Sequence, residues 1–171
     1  FTTLICILWL DTALFVENIR CGIIAQDREA AESLFRDKVK FAYDSLPEAL
    51  RQMMPLKANN ASTLVFGHNN SSIRVATSMR SGTIHRLHIS EFGKICAKYP
   101  DKAVEVVTGS IPAVPSSGIL IIESTAEGRD GAFYKMTQAS MAAAESGKKL
   151  TVKDYRFHFF PWWQEPGYQI D

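Results

Sequence analysis

Two short apolar runs, each closing on an acid, constrain this 171-residue chain more than any other feature. The first is Arg86-Leu87-His88-Ile89-Ser90-Glu91-Phe92, and the second is Gly118-Ile119-Leu120-Ile121-Ile122-Glu123-Ser124-Thr125-Ala126. Runs of this kind read as parallel strands buried on both faces, which need helices above and below them. Two such strands that present polar groups at the same carboxyl edge form the floor of a nucleotide site in an α/β protein.

The rest of the chain supplies the partners. Phe1–Leu10 is strongly apolar, and Leu14–Val16 extends it past Asp11. It has no basic lead-in or cleavage site and is too short to span a bilayer, so it predicts a buried helix to Glu17. A domain seldom opens inside a core helix, so natural sequence is expected before Phe1. Cys21–Ala25 predicts a buried strand. Asp27 is a helix cap, and Ala31, Leu34, Phe35, Val39, Ala42 and Leu46 mark one helical face up to Pro47. Glu48–Met54 predicts a further turn, and Lys57–Ser62 a polar loop. Thr63–Phe66 and Ser72–Thr77, joined by Gly67-His68-Asn69-Asn70-Ser71, predict an antiparallel hairpin at one edge. Ala97–Gly109 and Asp130–Ser146 predict helices, and Ile119–Ile122 a second central strand. Val152, Tyr155, Phe157 and Phe159 mark a last strand before an aromatic tail. Strands alternating with helices predict an α/β three-layer sandwich, its mostly parallel sheet carrying an antiparallel edge hairpin.

Composition excludes several classes. A net charge of +1 advertises no polyanion partner, although a local patch of Lys and Arg is enough to grip DNA. Lys94, Lys98, Lys148 and Lys149 are candidates for such a patch by charge alone, and an ordinary solvated face is the stronger reading for each. Three widely spaced cysteines, Cys6, Cys21 and Cys96, give neither a disulfide framework nor a CxxC pair. They read as small buried residues in a reducing compartment. His85 and His88 point to opposite faces of a strand and lack zinc-ligand partners. No Gly-Xaa-Ser-Xaa-Gly elbow marks a nucleophilic hydrolase. Trp162 and Trp163 have the chemistry to stack bases, and packing under a domain edge is the plainer reading.

Chemistry concentrates at the two strand ends. Glu91 at the carboxyl end of a buried strand can polarise water for attack on a phosphate. By position alone it is also an ordinary surface glutamate. Ser90 can reach a hydrated Mg²⁺ or simply close the strand. Ser124 and Thr125 can sense a terminal phosphate, bind Glu91, or cap the following helix. Arg80 stands in a Gly-containing loop shortly before Glu91, where an arginine can stabilise transition-state charge. A solvated loop residue is the commoner reading for any single arginine.

Taken in order, Ile23-Ile24-Ala25-Gln26, Leu87-His88-Ile89-Ser90-Glu91-Phe92, Ile121-Ile122-Glu123-Ser124-Thr125-Ala126-Glu127-Gly128 and Phe160-Pro161-Trp162 resemble the ATPase domain of phage terminase large subunits. The resemblance covers nearly the whole chain. It implies a P-loop NTPase-like fold of the additional-strand, catalytic-glutamate type over residues 1–160, with 161–171 leading toward a nuclease domain. Glu91 would close the Walker B strand as catalytic base. Arg80 would act on the next subunit's nucleotide. Gln26 and Ser90 would lie beside nucleotide and metal. Ser124, Thr125 and Ala126 would form the coupling motif. The implied cofactors are ATP and Mg²⁺. The implied partners are double-stranded DNA, the portal protein, the small terminase subunit and further copies in a ring, in the host bacterial cytoplasm and away from any membrane.

Three departures accompany it. No Gly-Xaa-Xaa-Xaa-Xaa-Gly-Lys-[Ser/Thr] is present, since the chain starts where that loop would end. Poor ATP binding and little turnover are therefore expected of these residues alone. Ser90 stands where many P-loop ATPases have the aspartate that orders magnesium. No acidic cluster of a nuclease follows, so no cutting activity is expected. A superfamily 1 or 2 helicase and a non-catalytic ATPase-like assembly module are the alternatives. The Ser-Thr-Ala order and the missing Walker B aspartate favour the terminase over the helicase.

Overall fold

The computed structural model describes residues 1–80, 82–147, 149–165 and 167. Helix α1 (Thr2–Phe15) buries Ile5, Cys6, Trp9, Leu10, Ala13 and Leu14, a stripe at helical spacing. The expectation of a helix buried all round is corrected, because Leu4, Ile7, Leu8 and Phe15 on its other side are exposed. Strand β1 (Arg20–Ile24) follows, then α2 (Arg28–Leu34), whose first turn is capped by Asp27 accepting from the Ala30 amide at 2.8 Å. A π-helical stretch, Phe35–Lys40, carries the same helix into α3 (Phe41–Asp44), and α4 (Glu48–Met53) comes after Pro47. Then come β2 (Leu56–Asn60), β3 (Thr63–Phe66), β4 (Ser72–Ala76) and β5 (Arg86–Ile89). Helix α5 (Phe92–Lys98) breaks at Tyr99, and α6 (Pro100–Glu105) continues as a π segment, Val106–Ser110. Strand β6 (Ile119–Ile122) and helix α7 (Gly131–Glu145) complete the core.

The sheet order is β2-β3-β4-β1-β5-β6. β1 pairs in parallel with β4 and β5, β5 pairs in parallel with β6, and β2-β3-β4 form an antiparallel meander. Cys21, Ile23, Leu64, Phe66, Ile73 and Val75 meet α1 and the α2–α3 helix on one face. Ile24, Leu87, Ile89, Phe92, Ile95 and Val106 make a second cluster on the other. Alternate side chains of β1 thus feed both cores, and the expected mixed α/β layers with a mostly parallel centre are present.

Further expectations are corrected. Lys57–Ser62 is not simply a loop, since Leu56–Asn60 forms the outer strand β2. Its side chains are mostly exposed, so no apolar alternation announces it. The Thr63–Thr77 hairpin is therefore the inner part of a three-stranded meander, with β4 against β1. Ile119–Ile122 lies at the sheet margin, not its centre. Val152–Phe159 forms no strand: its alternation finds no ladder partner, Val152 is 83% exposed and Phe159 65%. The Ala97–Gly109 helix begins earlier, at Phe92, and Pro100, which cannot donate a backbone hydrogen bond, starts a new helix within it. Trp163 is not packed under an edge but half-exposed, its ring 6.0 Å from Phe159. Lys148, Pro166 and residues 168–171, which include part of the aromatic tail, lie outside the described residues.

The Gly67–Ser71 loop does more than turn the chain. The Asn69 side-chain amide donates to the carbonyls of Ala13, Leu14 and Val16 at 2.9, 3.1 and 3.2 Å, and its Oδ1 accepts from the Ser71 amide at 3.0 Å. The carbonyls left unpaired at the end of α1 are satisfied this way. Asn69→Ala strands the Ala13 carbonyl, while His68 and Ser71 still meet those of Leu14 and Val16, and should cost about 1–3 kcal/mol of unfolding free energy in a urea titration.

Burial pushes the thiols of Cys6 and Cys21 up from 9.0, to about 11 and about 12. Cys96 is only half-buried. A chromogenic disulfide at mildly alkaline pH should therefore titrate Cys96 in the folded protein and the other two only on unfolding. The unfolded chain releases thiol protons above 9.0 that the folded chain keeps until about 11. Stability should accordingly fall as pH rises through that window.

Candidate active site

The parallel register fixes which strand ends meet. Ile24 pairs with Ile89, and Ile89 with Ile122, so Gln26, Glu91 and Ser124 follow at one edge. Glu91 caps α5 in the left-handed region, φ 55° and ψ 44°. That bend turns the chain from β5 into α5 while the Phe92 amide still bonds the Glu123 carbonyl at 3.0 Å. A non-glycine residue there carries a steric cost of about 1–2 kcal/mol, and strain of this kind concentrates at functional sites. Ser124 Oγ and Thr125 Oγ1 donate to Glu91 Oε2 at 3.4 and 3.3 Å, long bonds that aim the carboxylate loosely. Gly93 permits this approach, since a Cβ there would lie 2.8 Å from Ser124 Oγ and 3.1 Å from the Thr125 carbonyl oxygen. Ala126 follows in the irregular segment between β6 and α7 and is exposed.

Ser90 is buried and belongs to a second group. Its Oγ donates to Glu123 Oε1 at 2.8 Å. Thr2 Oγ1, on the first turn of α1, donates to the same oxygen at 2.8 Å and lies 3.3 Å from Ser90 Oγ. Behind them His88 is fully buried, and burial holds its pKa below the ordinary 6.5 against the pull of Glu123. His88 Nδ1 lies 3.3 Å from the Ile121 carbonyl oxygen, which can only accept, so Nδ1 carries the proton. His88 Nε2 then faces Glu123 Oε1 at 3.6 Å without a hydrogen bond.

Lys102 reaches from α6 to the end of β1, where its Nζ donates to the carbonyls of Ala25 and Gln26 at 3.1 and 2.7 Å. Gln26 Oε1 is buried and unpartnered at the same edge. Arg80 is engaged by a different acid: its Nε bonds Glu105 Oε1 on α6 at 2.5 Å, and the guanidinium holds that carboxyl below the ordinary range. Sequence reasoning thus finds Glu91 with its two hydroxyl partners and misses Thr2, Glu123, His88 and Lys102. Thr2, Ser90, Glu91 and Glu123 supply hard oxygen donors of the sort magnesium takes beside a nucleotide. Among the described residues no group of three or more His, Cys, Asp and Glu could hold a metal alone. Nor is any described helix long and apolar enough to cross a membrane.

Glu91→Gly removes the left-handed strain at the expense of only the long hydroxyl contacts. It should leave the unfolding free energy unchanged or raise it by up to about 1 kcal/mol, an inversion of the usual loss on truncation. A clear destabilisation in the same titration would count against strain at this position.

The crystal structure of the HK97 bacteriophage large terminase matches 86% of this chain with a TM-score of 0.63 and 19% sequence identity. The match takes in 31% of that protein, so this chain spans about a third of its length. No protein-family model and no curated protein matches the sequence. At this identity the likeness is one of fold: the mixed, mostly parallel sheet with helices on both faces is that of a large terminase.

Proposed function

We propose that this chain is the nucleotide-hydrolysing core of a viral DNA-packaging motor of the large-terminase kind. The observation that carries the reading is Glu91: an acid at the carboxyl end of an inner parallel strand, in a strained conformation, met by Ser124 and Thr125 from the next strand. The fold shared with a large terminase supports it. In this reading the architecture is of the P-loop, additional-strand type. Gln26, Glu91 and Ser124 would line the bound ATP, and Ser90 would be among the residues that meet its Mg²⁺. Bound magnesium would offset phosphate charge.

Glu91 accepts the proton of the attacking water. Its hold on Ser124 and Thr125 loosens or tightens with the state of the terminal phosphate, and Ala126 passes that change into the segment leading to α7. Arg80 exchanges Glu105 for a phosphate of a neighbouring copy. Double-stranded DNA is the load, and portal, small terminase subunit and a ring of copies are the assembly, in the host cytoplasm.

ATP turnover of the full-length protein, with and without double-stranded DNA, tests this. Glu91→Gln should lower turnover ~10²–10⁴-fold, the usual loss on removing a general base. Near-normal turnover sinks the assignment. Mixing Arg80→Ala with wild-type subunits should depress activity out of proportion to the mutant fraction. A strictly proportional loss would show that Arg80 does not act between subunits.

A further inference from the structure

Position 90 is where the nucleotide reading is thinnest, because a serine stands in place of a magnesium-ordering acid. A carboxylate is nevertheless present at the spot. Glu123, the residue just past β6, brings Oε1 within 2.8 Å of Ser90 Oγ and 2.8 Å of Thr2 Oγ1. A hydroxyl has one proton and two lone pairs, whereas an ionised carboxylate only accepts. Both protons therefore go to Glu123, and the lone pairs of Thr2 and Ser90 are turned away from it. Three oxygens from three distant segments make one anionic patch of hard donors, beside the Glu91 edge.

A second, independent sign points to the same place. His88 Nε2 is fully buried, carries a lone pair and lacks a partner, 3.6 Å from Glu123 Oε1. Two acceptors facing one another repel, and both gain from a cation or a cation-bound water beside them. Serine at 90 also fits this arrangement better than aspartate would. A second carboxylate at hydrogen-bond distance from Glu123 would add like-charge repulsion.

We propose that Glu123 is the carboxylate that positions magnesium in this chain: the acid has moved from the end of β5 to the end of β6 and acts through the Ser90 and Thr2 hydroxyls. The assignment rests on the nucleotide reading given above. It makes Glu123 a positioning residue, distinct from the base role of Glu91.

The test uses the full-length protein, a fluorescent ATP analogue and Mn²⁺ as the metal probe, followed by electron paramagnetic resonance. Glu123→Gln should leave nucleotide binding without metal unchanged. It should weaken Mn²⁺ binding to the protein–nucleotide complex about 10–100-fold, the usual loss when a supporting partner of a metal ligand is removed. Adding Ser90→Asp to it restores one carboxylate and should recover most of that loss. An unchanged Mn²⁺ affinity in Glu123→Gln, or no recovery in the double variant, overturns the role of Glu123 and leaves the nucleotide reading standing. A wild-type protein that binds no nucleotide overturns both. If the variants fail to fold, the unsubstituted protein decides. Fe²⁺ in place of Mg²⁺, with nucleotide, ascorbate and peroxide, should cut the backbone beside Thr2, Ser90 and Glu123. Cuts that spare residues 121–125 overturn the proposal.

Discussion

The parallel register of β4, β1, β5 and β6 is the constraint on which everything else depends. β1 sits between two parallel neighbours and sends alternate side chains into opposite cores. Both faces must therefore be covered, and the chain spends α1 and the α2–α3 helix on one, α5 to α7 on the other. A strand so enclosed has room for polar groups only where it ends. Parallel pairing then sets those ends side by side, so Gln26, Glu91 and Ser124 come together although the first and last are nearly a hundred positions apart. The site follows from strand direction before any single side chain is considered.

Holding polar groups at that edge costs stability. A left-handed glutamate costs about 1–2 kcal/mol and an unsatisfied buried acceptor about 1–3 kcal/mol, against the 5–15 kcal/mol that holds a typical domain folded. The cost is bounded by arrangement. Glu91 bends the chain and still leaves the Phe92 amide paired with β6. Glu123 answers two hydroxyls with one oxygen. His88 is the residue left short, since its Nε2 has no partner in a place water does not reach. Far from the edge the same kind of problem is solved outright. Asn69 and Ser71 satisfy the end of α1 from a loop more than fifty residues away.

How much of this was legible followed from where the signal lay. The parallel strands announced themselves because Ile23-Ile24, Leu87 and Ile119–Ile122 are apolar in runs, although Ile119–Ile122 lies at the margin and is not buried. Glu91 and its hydroxyl partners were readable because both end such runs. β2 was not, because Leu56–Asn60 is a polar margin whose pairing is made by backbone alone. Val152, Tyr155, Phe157 and Phe159 alternate without forming a strand, because alternation reports a face and not the partner that would bury it. Thr2, Ser90, His88 and Glu123 were illegible as a set. Each is unremarkable in its own neighbourhood, and only the three-dimensional approach of α1 to the ends of β5 and β6 joins them.

The Arg80–Glu105 pair and the Glu123 cluster also differ in how readily they move, and that difference fits the roles proposed for them. Arg80 and Glu105 meet on the outside of α6, where the Arg80 side chain is 66% exposed. An exposed pair is worth only about 0–1 kcal/mol, so Arg80 can leave Glu105 for a stronger anion at small cost. Glu123 is held by two 2.8 Å bonds from different segments and backed by a buried ring. Displacing it would strand Ser90 and disturb the seat of α1 together. A fixed carboxylate beside a loosely aimed Glu91, with an arginine on a cheap tether, is the division that the proposed turnover would need between parts that stay in place and parts that change partners.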